Sequence, residues 1–235
     1  THGDHAIIAL TASNHQDVFQ MTVEAFNLAE TYRTPVILLF DEVVGHMREK
    51  LVVPEPGALP LVERLRTSVK GGVDYHPYLP REDGRLPMSD FGSVHRYNVT
   101  GLYHDMWGFP SADPAVVHGL IRHLVDKIEN RANLLARYKE YYLDDADIIM
   151  VTTGTVTGTC RQVLADLRSR GEKVGLFKIK LFRPFPKDLI CRHLKSAPKI
   201  AVIDRNISFG AGGIFAQEIR AALCSQEPHP RVFGY

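Results

Sequence analysis

What this chain has little of narrows its chemistry first. Its 235 residues hold three cysteines, Cys160, Cys191 and Cys224. They are too sparse for a disulfide scaffold and include no C-x-x-C pair, so neither a structural zinc nor an iron–sulfur cluster is built from this chain alone. Charge of one sign is also lacking: 28 basic against 27 acidic side chains leave a net charge of +1. That balance makes no electrostatic case for nucleic acid or an anionic membrane as partner. Apolar runs such as Val36 to Phe40 fall far short of the roughly 20 residues a bilayer-spanning helix needs, and no basic-apolar-small leader opens the chain. The expected location is the cytoplasm.

Metal and nucleotide signatures are missing as well. Among 11 histidines, His118 and His123 lie five apart on a predicted helix, which turns them roughly 140° from each other and away from a shared ion. Gly154 and Gly158 do not complete G-x-G-x-x-G, and the following strand ends at Lys180 where a ribose-binding acid belongs. No P-loop, nucleophile elbow or kinase signature occurs.

What the chain does have is hydrophobic periodicity. Residues are 45% hydrophobic and 23% charged, the balance of a soluble globular protein of one large or two ordinary cores, and two domains are expected. The stretch from Asp147 to Pro186 reads as strand, helix, strand. Ile148 to Val151 is apolar, and Val156, Cys160, Val163, Leu164 and Leu167 recur on one helical face. Gly171 is placed to cap that helix, and Val174 to Ile179 supplies the second strand. Continuous apolar runs indicate parallel strands buried on both faces. A helix from near Pro186, a strand Ile200 to Asp204, a helix around Gly213 to Leu223 and a strand Val232 to Tyr235 extend the unit. The result is an open parallel sheet of at least four strands.

The N-terminal part repeats the pattern. A strand from Ala6 to Leu10 precedes a helix whose expected capping box is Ser13 with Gln16, and a strand Val36 to Phe40 follows. Two strands and a helix cannot bury a parallel sheet, so further strands are expected from a preceding segment or another chain. From Gly45 to Asp113 periodicity is lost, and eight of the 14 prolines lie between Pro54 and Pro114. This stretch reads as a connector that wraps a neighbour, with Tyr97, Tyr103, Trp107 and Phe109 as candidate contacts. Asp113 and Pro114 start a long helix expected to run to about Tyr141.

Ligands of open parallel sheets bind beyond the carboxyl ends of the strands, which selects TTGTVTGT (152–159), KLFRPFP (180–186) and RNISFGAGG (205–213). Ser208, Gly210, Gly212 and Gly213 precede a helix and could offer backbone N–H groups to a phosphate, or serve only close packing. Arg183, held before Pro184, is placed to recognise an anion, or to pair with a local acid such as Asp204.

GDHAIIAL, AFNLAETYRTPVILLFDEVVGHMRE, YNVTGLYHDMWGFP, LFRPFPKDLI and DRNISFGAGG together resemble the alpha subunit of 2-oxoacid:ferredoxin oxidoreductases. The resemblance covers nearly the whole chain. It implies an α/β protein, with residues 1–50 as the second half of a thiamine-type pyrimidine-binding domain, 51–141 as connector and linking helix, and 142–235 as a parallel-sheet domain resembling the transketolase C-terminal domain. It implies an enzyme that uses thiamine diphosphate and magnesium, bound mainly by a beta subunit or a missing segment. Electrons would pass through iron–sulfur clusters on other subunits to ferredoxin, and the acyl group would load onto coenzyme A. Arg183, Ser208, Gly210, Gly212 and Gly213 would then serve coenzyme A or a subunit interface. The glutamate that activates thiamine in the family is expected upstream of Thr1, the end at Tyr235 is expected to be cut short, and this segment alone is expected to be inactive. The first half resembles 2-oxoglutarate and branched-chain members, while LFRPFP with DRNISFGAGG resembles pyruvate members. The substrate reading is 2-oxoglutarate, with pyruvate or a branched-chain 2-oxoacid as alternatives. A non-catalytic assembly module with the same fold is the reading from another class.

Overall fold

The computed structural model describes residues 6–71, 74–227 and 229–235; Gly3, Asp4 and His5 of the GDHAIIAL motif lie outside them. In chain order the elements are β1 (Ile8–Ala12), α1 (His15–Tyr32), β2 (Val36–Phe40), α2 (Glu42–His46), α3 (Pro114–Glu129), α4 (Ala132–Leu135) and β3 (Tyr138–Tyr141). There follow β4 (Ile148–Thr152), α5 (Val156–Ser169), β5 (Val174–Ile179), β6 (Leu181–Arg183), α6 (Lys187–Leu194), β7 (Lys199–Ile203), α7 (Ile214–Leu223) and β8 (Arg231–Gly234).

The expected parallel sheet is present. Its order is β3-β5-β4-β7-β8, and β4–β5, β4–β7 and β7–β8 are parallel. Both faces are covered, which accounts for the unbroken apolar strands. Phe177, Ile149, Val151, Ile200 and Val202 pack with α6 and α7, while Met150, Val174 and Leu176 pack on the opposite face with Cys160 and Leu164 of α5. Val163, read as part of that apolar stripe, is 41% exposed.

Three local expectations are corrected. The helix opened by Asp113, whose carboxylate accepts from Ala115 N at 2.8 Å and Val116 N at 3.2 Å, ends at Glu129. Residues 138–141 form β3 instead, antiparallel to β5 in register Tyr138↔Ile179, because Tyr138 stacks on buried Phe177 with ring centroids 5.3 Å apart. The α1 cap is shifted by one residue. Asn14 Oδ1 accepts from Asp17 N at 2.8 Å, whereas Gln16 exchanges two hydrogen bonds with the Val52 backbone. A second sheet, order β2-β1-β6, arises because the chain leaving β5 continues as β6 and pairs antiparallel with β1.

Packing divides the chain into two compact units of separated segments: Val23–Val36 with Pro54–Arg131 and the residues up to Ile8, and Ala9–Thr22 with Ile37–Val53 and Ala132–Tyr235. These divisions cross the expected boundaries at 50 and 141, because β1 and the start of α1 pack with the C-terminal sheet.

Within the first unit the proline-rich stretch has its own small core. Tyr75, which is buried, meets His95 and Tyr97 at 4.8 and 5.5 Å, donates to Pro87 O and accepts from Ser89 N. Trp107 is 52% exposed and Phe109 62%. Lys127 is buried, and its ammonium donates to Arg33 O at 3.3 Å beyond the end of α1. Burial, then the Arg33 and Arg131 guanidinium groups, push Lys127 down from 10.5 to about 8. The unfolded chain therefore binds more protons between those two values, and this residue makes stability rise with pH across that window. Comparing denaturant unfolding of the parent with Lys127→Met from pH 7 to pH 10.5 checks this. The parent is expected to gain up to about 3 kcal/mol relative to the variant.

Candidate functional site

The crevice beyond the carboxyl ends of the strands lies within the second unit. β2 ends at Phe40 and delivers Asp41 against the turn between β4 and α5. Thr155 donates to Asp41 Oδ2 twice, from its backbone N at 2.6 Å and its hydroxyl at 2.5 Å. Gly154 sits at φ +65°, and a Cβ there would lie 2.7 Å from the same carboxylate oxygen, so this turn needs glycine on two counts. Arg205, just after β7, closes the group: its Nη1 donates to Thr155 Oγ1 at 2.8 Å and lies 3.6 Å from Asp41 Oδ2. Alongside, Thr153 donates to Thr11 Oγ1 at 2.7 Å, and Thr11 donates to Ile179 O at 3.1 Å. Thr11, Asp41, Thr153, Gly154 and Arg205, with Leu39, Phe40 and Phe215, border a pocket of about 170 Å³.

One step away, Asp17 of α1 is buried between two lysines. Lys180 Nζ lies 2.7 Å from its Oδ1, Lys178 Nζ pairs with its Oδ2, and Ser13 Oγ donates to Oδ2 at 2.8 Å. Burial alone would raise the Asp17 carboxyl, but hydrogen bonds and charge from both lysines outweigh it and hold the group well below the usual carboxylate range. Lys178 is pushed down by burial, against the pull of Asp17. No sequence motif pointed to this group. The only signal was two lysines, Lys178 and Lys180, at the end of an otherwise apolar strand.

Arg183 ends β6 and pairs with Glu218 of α7 at 2.6 Å, its guanidinium 4.1 Å from the Phe182 ring centroid. Its local acid is thus Glu218 and not Asp204, since the side chain crosses to α7. Asp204 instead accepts from Ala216 N at 3.1 Å and from Asn206 Nδ2 at 3.3 Å, and burial raises its carboxyl. Asn206 accepts from Ile214 N at 2.9 Å. The first turn of α7 already holds an internal acid, and a Cβ on Gly213 would overlap it. Ser208, Gly210 and Gly212 form a turn bonded to itself: Ser208 N donates to Gly212 O, and Gly212 N to Ser208 O, at 2.8 and 3.0 Å. Gly210 and Gly212 adopt positive φ. Positive φ accounts for glycine at 210 and 212, and close approach to Asp204 for glycine at 213.

Asp41 and Asp17 are both ion-paired, and among the described residues no group of histidine, cysteine, aspartate and glutamate could hold a metal ion. The three thiols are free, and burial raises those of Cys160 and Cys191.

A mostly parallel α/β sheet and a smaller three-stranded sheet, with a polar crevice at the strand ends, define the class of protein as α/β. Residues 146–235 match the family model described as pyruvate:ferredoxin oxidoreductase core domain II. Residues 2–115 match that of the pyruvate flavodoxin/ferredoxin oxidoreductase, thiamine diphosphate-binding. The chain belongs to the 2-oxoacid:ferredoxin oxidoreductase family. It is 35% identical over 237 residues to the 2-oxoglutarate synthase subunit KorA of Methanothermobacter marburgensis, covering 100% of this chain and 61% of that relative. It is 42% identical over 96 residues to the pyruvate synthase subunit PorA of Methanothermobacter thermautotrophicus, covering 41% of this chain and 25% of that one. The fold superposes with a TM-score of 0.81, at 24% identity, on the 2-oxoglutarate:ferredoxin oxidoreductase from Magnetococcus marinus, covering all of this chain and 39% of that one. The chain thus spans about three fifths of the length of the first of these relatives.

The residues present do not make a complete thiamine diphosphate site. Among the described residues the crevice carboxylate Asp41 is bonded to Thr155 and paired with Arg205, and no group of histidine, cysteine, aspartate and glutamate could hold a metal ion. No reaction step is therefore assigned to this chain's own side chains.

Asp17→Asn tests the buried cluster, because it leaves two ammonium groups facing a neutral amide. A loss of about 3–5 kcal/mol in denaturant unfolding is expected at pH 7. The folded carboxyl is held below its unfolded value, so its contribution is fully present above pH 4 and is lost as pH falls. The gap between parent and variant should narrow in acid.

Proposed function

We propose that this chain is part of the alpha subunit of a thiamine-dependent 2-oxoacid:ferredoxin oxidoreductase that acts on 2-oxoglutarate. The reaction would be oxidative decarboxylation: the 2-oxoacid loses carbon dioxide, two electrons leave for ferredoxin, and the acyl group forms a thioester with coenzyme A. The observation that carries this reading is similarity along the entire chain to 2-oxoglutarate synthase subunits. The shorter, higher-identity match to a pyruvate synthase subunit keeps pyruvate as the alternative substrate.

In this reading residues 1–50 and 142–235 are the pyrimidine-type and C-terminal domains, and 51–141 is the connector between them. A beta subunit supplies the diphosphate and magnesium site, and other subunits carry the iron–sulfur clusters. The complex works in the cytoplasm; no helix among the described residues is long and apolar enough to cross a membrane. Arg183 and the turn Ser208 to Gly213 serve a subunit interface more readily than coenzyme A. Arg183 is already neutralised by Glu218, and beside the turn Ile207 is 69% and Phe209 96% exposed. Exposed Trp107 and Phe109 suit the same purpose.

Assaying the assembled complex with 2-oxoglutarate, pyruvate and 2-oxoisovalerate, coupled to ferredoxin reduction, tests the substrate. The highest kcat/KM is expected for 2-oxoglutarate. A pyruvate preference above about tenfold, or ~1.4 kcal/mol, rejects it.

A further inference from the structure

On the α5 face of the C-terminal sheet lies a pocket of about 450 Å³. The chemistry of its walls is unbalanced. β3 and β5 set Lys139 directly opposite Lys178. Like charges opposite one another in an antiparallel pair destabilise it, so the arrangement needs a counter-charge. Asp17 meets Lys178, yet it is shared with Lys180, so one carboxylate serves two ammonium groups. Arg161, in the second turn of α5, adds a fourth cation, its guanidinium 5.4 Å from the ring centroid of Tyr141. Neither Arg161 nor Lys139 has a carboxylate partner among the described residues. The other acid on the wall, Glu49, is taken by His15 at 2.9 Å. One turn before Arg161 on α5, Gly158 also borders the pocket, and a Cβ there would meet nothing within 4 Å.

We propose that this pocket binds the phosphate group of a phosphorylated small molecule of mononucleotide size. Arg161 and Lys139 contact the phosphate oxygens, and Lys178 adds charge from behind. A dianion matches the two uncompensated cations, and Arg161 offers the planar fork that phosphate accepts in pairs of hydrogen bonds. The volume lies in the range of small-molecule sites and exceeds what a bare inorganic ion fills. The site is separate from the thiamine reading, which rests on similarity along the chain and is untouched if this site fails.

Calorimetric titration of the intact protein at low ionic strength with adenosine 5′-monophosphate, inorganic phosphate and adenosine tests the assignment. The monophosphate should bind with a Kd below about 1 mM, phosphate at least about tenfold more weakly, and adenosine not at all. Replacing Arg161 and Lys139 together with glutamine should weaken the monophosphate at least about tenfold with the melting temperature held, since both side chains are exposed. Gly158→Glu, which puts a carboxylate into open helix-face space, should do the same by repulsion. Phosphate binding without monophosphate binding overturns the mononucleotide size. Adenosine binding as tightly as the monophosphate, no binding of either phosphate-bearing probe, or equal binding by the parent and both variants overturns the site.

Discussion

The second unit depends on one carboxylate held between two lysines. Asp17 comes from α1, while Lys178 lies next to last in β5 of the large sheet and Lys180 stands where that strand leaves for β6. Withdrawing three charges from water is costly, and the cost is met only while all three are present and hydrogen-bonded. Such a cluster does little for raw stability against an apolar core, but it penalises any other register. It fixes which part of the N-terminal segment lies against the C-terminal sheet. The Thr11 backbone adds to this, donating to Lys180 O at 2.7 Å, as does the Ala9↔Arg183 pairing of β1 with β6.

The crevice follows from that registration. With β1 tied to the β5–β6 strand, its neighbour β2 ends where Asp41 reaches the amide and hydroxyl of Thr155, and Arg205 reaches both. The polar groups that meet at the strand ends come from four separate stretches of sequence. They satisfy one another, Asp41 being bonded to Thr155 and paired with Arg205.

Legibility in the sequence followed the range of the forces involved. The β4, α5, β5 and β7 elements were readable because burial on two faces writes continuous apolar runs and a 3.6-residue stripe into the chain. β3 was not, because Tyr138, Lys139, Glu140 and Tyr141 look like the polar end of a helix until Phe177 is there to stack on. β6 has three residues, too few for any period. The Asn14 cap was mistaken by one position because Ser13 and Asn14 both suit the role, and only the Asp17 geometry decides. The position of Arg183 before Pro184 suggests an anion, but its partner Glu218 is 35 residues away in sequence and is visible only once α7 is packed. The Asp17 cluster was invisible for the same reason, since its members are more than 160 residues apart.

Native-state hydrogen exchange at the Thr11 amide tests the central claim directly. That amide is bonded across from β1 to Lys180 O, beside the buried ion cluster. If the cluster makes the N-terminal segment one cooperative unit with the C-terminal sheet, Thr11 should open with the same free energy as the buried amides of Met150 in β4 and Leu176 in β5, within about 1 kcal/mol. Exchange of Thr11 several kcal/mol more easily than those two, through local fraying of β1, would contradict it.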